Sequence, residues 1–432
     1  MKKMILVMLI LVHFAAISHI DARNRQFVLG ADISWVDAEI DRGQKYYDGN
    51  QQKDILLILQ EHKFNSIRLR LFVDPSAYVP GEEWDNPYSI QGYCGLERTV
   101  AFAKKFKEAG MMLLLDFHYS DTWADPGKQH KPMAWRALSY QDLVKTVRSY
   151  TSESLKAFKE AGALPDMVQI GNEVVAGMIW PDGSSSNMKQ FAQLVNAGID
   201  GVKDVSENIE IMIHSLSDKS PNRWLSNLIN AGVSSERIDI FGLSYYQQYH
   251  GSTDDLRNNL TGITRDHNVK IVVAEYAELH EQVNDIVFNL PDEKGIGTFV
   301  WEPTRWNETL FTNGRTNDKI DIYPKLWTRY GNDTLPQKDN PVANRKPLFI
   351  AGQGSDECVW IDRSGVLHSG NSVVSGYSIM NLQGRVVAAS RRSCSAQPLN
   401  LSGGNVYIIR MHDALRSDIQ RNLLTLRVDK GN

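Results

Sequence analysis

The sequence predicts an α/β protein, with a (β/α)8 TIM barrel over residues 23–330 and a small all-β domain over residues 348–432. Three observations carry that expectation. Eight short apolar runs recur at 27–32, 65–71, 111–117, 166–171, 209–215, 238–244, 269–275 and 296–301, most of them ending at or beside a polar or charged residue. Helix-length amphipathic segments such as 96–109 and 143–161 lie between the runs, each stopped by a glycine, Gly110 or Gly162. After Gly331 the pattern turns polar and proline-containing, then breaks into short alternating segments separated by glycine turns.

Residues 1–22 read as a secretory signal. Lys2 and Lys3 precede an apolar run from Met4 to Val12, and the small residues Ala15, Ala16 and Ser18 follow. A membrane anchor needs about 20 apolar residues, and His13 breaks this run earlier. The expected location is secreted, periplasmic or at the cell surface, with no membrane insertion of the mature chain. Downstream, continuous apolar strands alternating with helices fit a parallel sheet covered on both faces. Eight such units favour closure into a barrel over an open sheet, and no GxGxxG follows the first run. Chemistry in that architecture sits at the C-terminal ends of the strands. Residues 331–347 read as a linker. Beyond it, segments such as Tyr377-Ser378-Ile379-Met380 and Asn405-Val406-Tyr407-Ile408-Ile409 read as a β-sandwich-like domain with no cluster of catalytic residue types.

Of 432 residues, 47 are basic and 51 acidic, a net charge of -4 with no block of either sign. That balance argues against nucleic acid and anionic membrane surfaces and toward a neutral partner, for which a monomer suffices. Nine of the ten tryptophans fall between Trp35 and Trp327. The three cysteines match no metal or redox spacing; Cys94 is expected to be a small inert thiol, and pairing of Cys358 with Cys394 stays open.

The strand ends supply Asp32, Arg68, Arg70, His118, Asn172, Glu173, His214, Tyr245, Tyr246, Glu275, Trp301 and Glu302. Glu173 follows the fourth run and Glu275 ends the seventh, so both carboxylates can reach one substrate across the barrel mouth. Paired carboxylates flanking a bond suit glycoside hydrolysis, one as general acid and the other as nucleophile or base. A lone strand-end glutamate is as readily a solvated loop group or an ion-pair partner. Here Val272-Val273-Ala274 is an apolar strand with no packing reason to end in a charge, and Asn172 stands beside Glu173 as a sugar-hydroxyl partner. Arg68 would hold the nucleophile ionised, and one of Tyr245 and Tyr246 is placed to hydrogen-bond the seventh-strand carboxylate. A competing metal reading uses Asp116, His118, Asp121 and Asp125, but their spacing matches no tight ligand signature. No GxSxG elbow is present.

These residues stand in seven motifs in barrel order. They are Gly30-Ala31-Asp32-Ile33-Ser34; Asn65-Ser66-Ile67-Arg68-Leu69-Arg70-Leu71; and Asp116-Phe117-His118-Tyr119-Ser120-Asp121 with Trp123-Ala124-Asp125-Pro126. Next come Gln169-Ile170-Gly171-Asn172-Glu173, Gly242-Leu243-Ser244-Tyr245-Tyr246, Ala274-Glu275 and Trp301-Glu302-Pro303. In them the chain resembles the arabinogalactan endo-β-1,4-galactanases of glycoside hydrolase family 53, over about residues 27–330. The resemblance implies a retaining mechanism with Glu173 as acid/base and Glu275 as nucleophile, acting on galactan or arabinogalactan of pectin side chains. It implies that Arg68, His118, Asn172 and Tyr245 or Tyr246 shape the subsite where the bond breaks, and that Asp32, Trp123, Asp125 and Trp301 contact sugar. No cofactor is required; some relatives hold a structural calcium after the seventh and eighth strands, where Asp318 and Asp321 lie without a convincing ligand set. Gln247-Gln248-Tyr249-His250 and Tyr276-Ala277-Glu278-Leu279-His280 depart from the family pattern, which leaves subsite number open. The last segment resembles the sorting domains of type IX secretion, with a carbohydrate-binding module as the rival. A mannanase or xylanase, and a barrel that only captures polysaccharide, are the alternatives to a galactanase.

Overall fold

The structure is a computed structural model that describes residues 25–82, 85–218 and 220–335 in full, and seven strands of the last quarter as backbone. The signal segment, Cys358, Cys394 and residues 336–347 of the expected linker lie outside the described residues. Eight parallel strands form a closed barrel: β1 (Val28–Asp32), β2 (Ser66–Leu71), β3 (Met112–Phe117), β4 (Met167–Ile170), β5 (Glu210–Leu216), β6 (Ile240–Ser244), β7 (Lys270–Tyr276) and β8 (Gly295–Trp301). Each pairs with the next, and β8 returns to β1. The helices that follow them are α1 (Ile55–Glu61), α2 (Leu96–Glu108), α3 (Tyr140–Glu160), α4 (Met188–Lys203), α5 (Pro221–Asn230), α6 (Thr253–Asp266), α7 (His280–Phe288) and α8 (Ile322–Arg329). The starts of α1, α3 and α6 are set locally by side-chain caps from Asp54, Ser139 and Ser252. The expected (β/α)8 barrel is the observed one.

Strand alternation divides the apolar residues between two cores. Val28, Met112, Leu114, Met167, Met212, Ile240, Val272, Ala274 and Phe299 fill the lower lumen, whereas Leu29, Ile67, Leu113, Val168, Ile211, Phe241 and Val273 pack outward against the helices. Two inward positions are glycine because a neighbour takes their space. A Cβ on Gly30 would lie 2.3 Å from the Phe299 ring, and one on Gly242 would lie 2.6 Å from the Met212 sulfur. The packed lumen leaves the polar inward residues at the mouth.

Two further features shape the barrel. The loops after β1 and β8 share a small sheet, in which the hairpin at 47–52 pairs through Tyr47 with Arg315 of the hairpin at 311–316. At the other end the chain termini of the barrel are clasped: Asn332 accepts from the Phe27 N–H at 2.8 Å and donates to its carbonyl at 3.0 Å. Gln26 also donates to the carbonyls of Asn332 and Leu335, so 331–335, read from the sequence as the start of a linker, are bonded to the barrel.

The described strands of the last quarter are antiparallel. Leu348–Ile350, Val359–Ile361 and Leu367–Ser369 form one sheet; Val386–Ser390, Val374–Asn381, Val406–Asp413 and Leu423–Arg427 form another, in that order. No helix among the described residues is long and apolar enough to cross a membrane.

Candidate active site

Two local distortions aim the catalytic-type carboxylates. After β4, Gly171 (φ 76) and then Glu173 itself (φ 46) take the left-handed backbone region, turning the chain so that Glu173 faces the mouth. A non-glycine residue held there stores of order 1–3 kcal/mol of strain, which the surrounding packing must hold. On β7, pairing slips by one residue against both neighbours around Ala274 and Glu275. Strict alternation would turn Glu275 outward next to the lumen residue Ala274; the bulge brings it inward instead. One oxygen of Glu173 and one of Glu275 lie within 4.8 Å of each other, together with a His214 ring nitrogen.

Arg68 organises the floor of this site. Its Nη1 donates to Asp32 Oδ2 and Glu275 Oε1, both at 2.8 Å, and its Nη2 donates to Asp116 Oδ2 and Asn172 Oδ1, both at 2.9 Å. Gln169 fills the remaining angle by accepting from Nε at 3.2 Å and donating to Asp116 at 2.6 Å. Buried at this depth, a guanidinium is stable only with such compensation. Tyr246 donates its hydroxyl to the other Glu275 oxygen at 3.2 Å. His214 is wedged between strands, Nδ1 against Asn172 and Gln169 and Nε2 against Ser244 at 3.0 Å; burial and the nearby Arg68 push its pKa far down, so it is neutral.

Burial and the negative charge of Glu275 push the Glu173 carboxyl up to about 8. Burial raises Glu275 as well, but Arg68 opposes it, so Glu275 ionises first. One carboxylic acid thus faces one carboxylate near neutrality, the division of labour that acid-assisted displacement needs.

The structure brings most of the sequence-read residues together, and separates one. Asp32, Arg68, Asn172, Glu173, Tyr246 and Glu275 share the network just described. His118 sits at its edge, Nε2 3.1 Å from Asp116 and Nδ1 accepting the Ala124 N–H. Trp123 and Trp301 line the mouth with ring centroids 6.4 Å apart. Asp125 caps the turn to Lys128 and contributes to the raised Glu173 carboxyl. Tyr245 is buried, and its hydroxyl bonds the Gly251 carbonyl instead of a catalytic carboxylate. Sequence reasoning left out Trp35, whose ring lies 5.4 Å from Trp301 and 6.1 Å from Trp123, and gave no role to Gln169. The departing loop Gln247-Gln248 lines a small open cleft with Tyr246, Leu279 and Trp306.

The metal readings fit poorly. Asp121 is spent on the N–H groups of Asp74 and Met133, and Asp116 on Arg68 and Gln169, so the four residues weighed from the sequence do not converge. Glu173, His214 and Glu275 are close enough for a cation, yet both His214 nitrogens and both Glu275 oxygens are already bonded. A calcium after β8 finds no better donors: Asp321 is largely exposed and faces His62, and the Lys319 ammonium occupies the same loop.

The family model for glycosyl hydrolase family 53 matches residues 28–285. An uncharacterised protein of Niallia circulans is 43% identical over 267 residues, covering 59% of this chain and 68% of that protein. An arabinogalactan endo-β-1,4-galactanase of Humicola insolens is 30% identical over 343 residues, covering 69% of this chain and 98% of its own. Among solved structures, the Ignisphaera aggregans GH53 catalytic domain superposes with a TM-score of 0.62 at 35% identity, covering 70% of this chain and 96% of that one. With a closed barrel and two facing carboxylates at its mouth, this chain belongs to glycosyl hydrolase family 53 and is a glycoside hydrolase.

Proposed function

We propose that this protein is a secreted, retaining endo-glycosidase that hydrolyses β-1,4-galactosidic bonds in galactan and type I arabinogalactan, the side chains of pectin. The observation that carries the retaining mechanism is the approach of Glu173 and Glu275, whose nearest oxygens lie within 4.8 Å. Retaining glycosidases hold their carboxyl groups about 5–5.5 Å apart, whereas inverting ones need about 6.5–9.5 Å to admit a water. In the first step Glu173 protonates the glycosidic oxygen while Glu275 attacks the anomeric carbon, giving a covalent glycosyl-enzyme. The Arg68 guanidinium keeps Glu275 anionic until attack, and the Tyr246 hydroxyl orients its second oxygen. Esterification removes the charge on Glu275 that helped to raise Glu173, so the Glu173 pKa falls and its carboxylate can take a proton from water in the second step.

The choice of galactan rests on the family and on relatives such as the Humicola insolens enzyme. Half-buried indoles at the mouth suit the C–H face of a neutral sugar ring. Secretion is read from residues 1–22, and the last quarter is read as a sorting or attachment domain for the cell surface. Sizing the products of purified protein on β-1,4-galactan, mannan and xylan tests the substrate. Internal cleavage of galactan is expected; preferential cleavage of either other polymer, or binding without cleavage, would reject it.

A further inference from the structure

We propose that Arg70 and Glu302 are positioning residues, a buried ion pair that fixes the indole floor on which sugar rests without touching the reacting bond. The proposal rests on the glycosidase reading above. Arg70 lies two residues after Arg68 on β2, so alternation points both guanidinium groups inward, with Arg70 one layer nearer the mouth. Its Nη1 stands 2.7 Å from Glu302 Oε1, and both side chains are essentially inaccessible to solvent. Glu302 follows β8 directly and holds a left-handed φ of 38.

Three indoles gather around this pair. The guanidinium carbon lies 4.2 Å from the Trp123 ring centroid and 5.4 Å from that of Trp35. The Trp35 backbone N–H points at both Glu302 oxygens, at 3.2 and 3.3 Å. Trp301, the last residue of β8, packs 5.4 Å from Trp35 and 4.9 Å from the half-exposed Trp306. Rings from the loops after β1 and β3 thus pack on one charge pair, and the Trp301 ring at the end of β8 packs on both of those rings. Asp32 joins this pair to the catalytic floor, with Oδ2 on Arg68 and Oδ1 3.8 Å from Arg70. Stability alone does not account for the pair, because well-packed apolar residues in place of a buried ion pair are often as stable or more so. What the pair supplies is geometry: a planar cation under two ring faces and an acceptor that pins the Trp35 backbone.

The test is steady-state kinetics on soluble β-1,4-galactan with Glu302→Leu and Glu302→Gln, alongside wild type. Leu removes both the charge and the Trp35 acceptor, and Gln keeps an acceptor oxygen. The expected result is a KM raised about tenfold or more by Glu302→Leu, a smaller rise for Glu302→Gln, and kcat within about threefold of wild type in both. Loss of kcat at unchanged KM would mean only that less enzyme is folded, and would overturn the proposal, as would wild-type kinetics in a folded Glu302→Leu. Should that variant not fold, an unchanged KM in Glu302→Gln overturns it equally. The ratios are read on whichever polymer wild type cleaves, so a substrate other than galactan would refute the galactan reading while the positioning claim is still decided.

Discussion

Glu173 and Glu275 carry the same functional group and are told apart only by their surroundings. Arg68 and Tyr246 both bond Glu275, while Glu173 faces the negative charge of Glu275 from a partly buried position. Glu275→Ala should therefore reduce galactan hydrolysis by several orders of magnitude, and azide should restore cleavage of an activated aryl glycoside by entering the space left behind. No azide rescue would argue against Glu275 as nucleophile. The pH profile follows from the two shifts. The proposed mechanism requires Glu173 protonated and Glu275 ionised. Rates should fall as pH rises past about 8, where Glu173 loses its proton, and should fall on the acid side above the range of an ordinary carboxylate, because Glu275 is also raised. Arg68→Met removes the opposing charge, raises Glu275 further and should move the acid limb toward neutrality with a large loss of kcat. An unmoved acid limb in that variant would contradict the electrostatic assignment.

At the scale of strands and loops, Glu275 was legible because an apolar strand ending in a charge has no packing reason to do so, and Glu173 because it follows the fourth run beside Asn172. Arg68 and Asn172 were legible from the same strand ends. What the sequence concealed was direction. Glu275 points inward only because β7 carries a bulge, whereas Tyr246 rather than Tyr245 faces Glu275 by plain alternation along β6, in which Ile240 and Gly242 face the lumen and Phe241, Leu243 and Tyr245 the outer core. Trp35 and Gln169 were missed for a related reason: one sits in a loop and one inside a strand, and only barrel closure sets them beside Trp301 and Arg68. Closure also explains Gly30, which shares a lumen layer with Phe299. Gly30→Val should cost about 1–3 kcal/mol in denaturant unfolding through overpacking, and Phe299→Leu in the same chain should recover part of it. Additive losses in the double variant would contradict the contact.

At the scale of the whole molecule, the strand count and the helix order were readable from periodicity, but how far the barrel's own bonding runs past Gly331 was not. Gly331 to Leu335 look like linker because they are polar, yet Asn332 is fully buried and pairs with Phe27 much as a strand neighbour would. Asn332→Ala removes an acceptor from the Phe27 N–H and one of the donors to its carbonyl, which keeps the Asn65 amide at 3.2 Å, and should lower unfolding free energy by about 1–3 kcal/mol with kcat unchanged; a melt equal to wild type would show that the clasp is dispensable. The early concentration of tryptophan has a counterpart in the barrel mouth, where Trp35, Trp123, Trp301 and Trp306 pack together. The most direct test of the two-carboxylate account is the anomer released first, followed by proton NMR during hydrolysis of a β-1,4-galacto-oligosaccharide before mutarotation. Initial appearance of the β-anomer is the predicted result, and initial appearance of the α-anomer would contradict it.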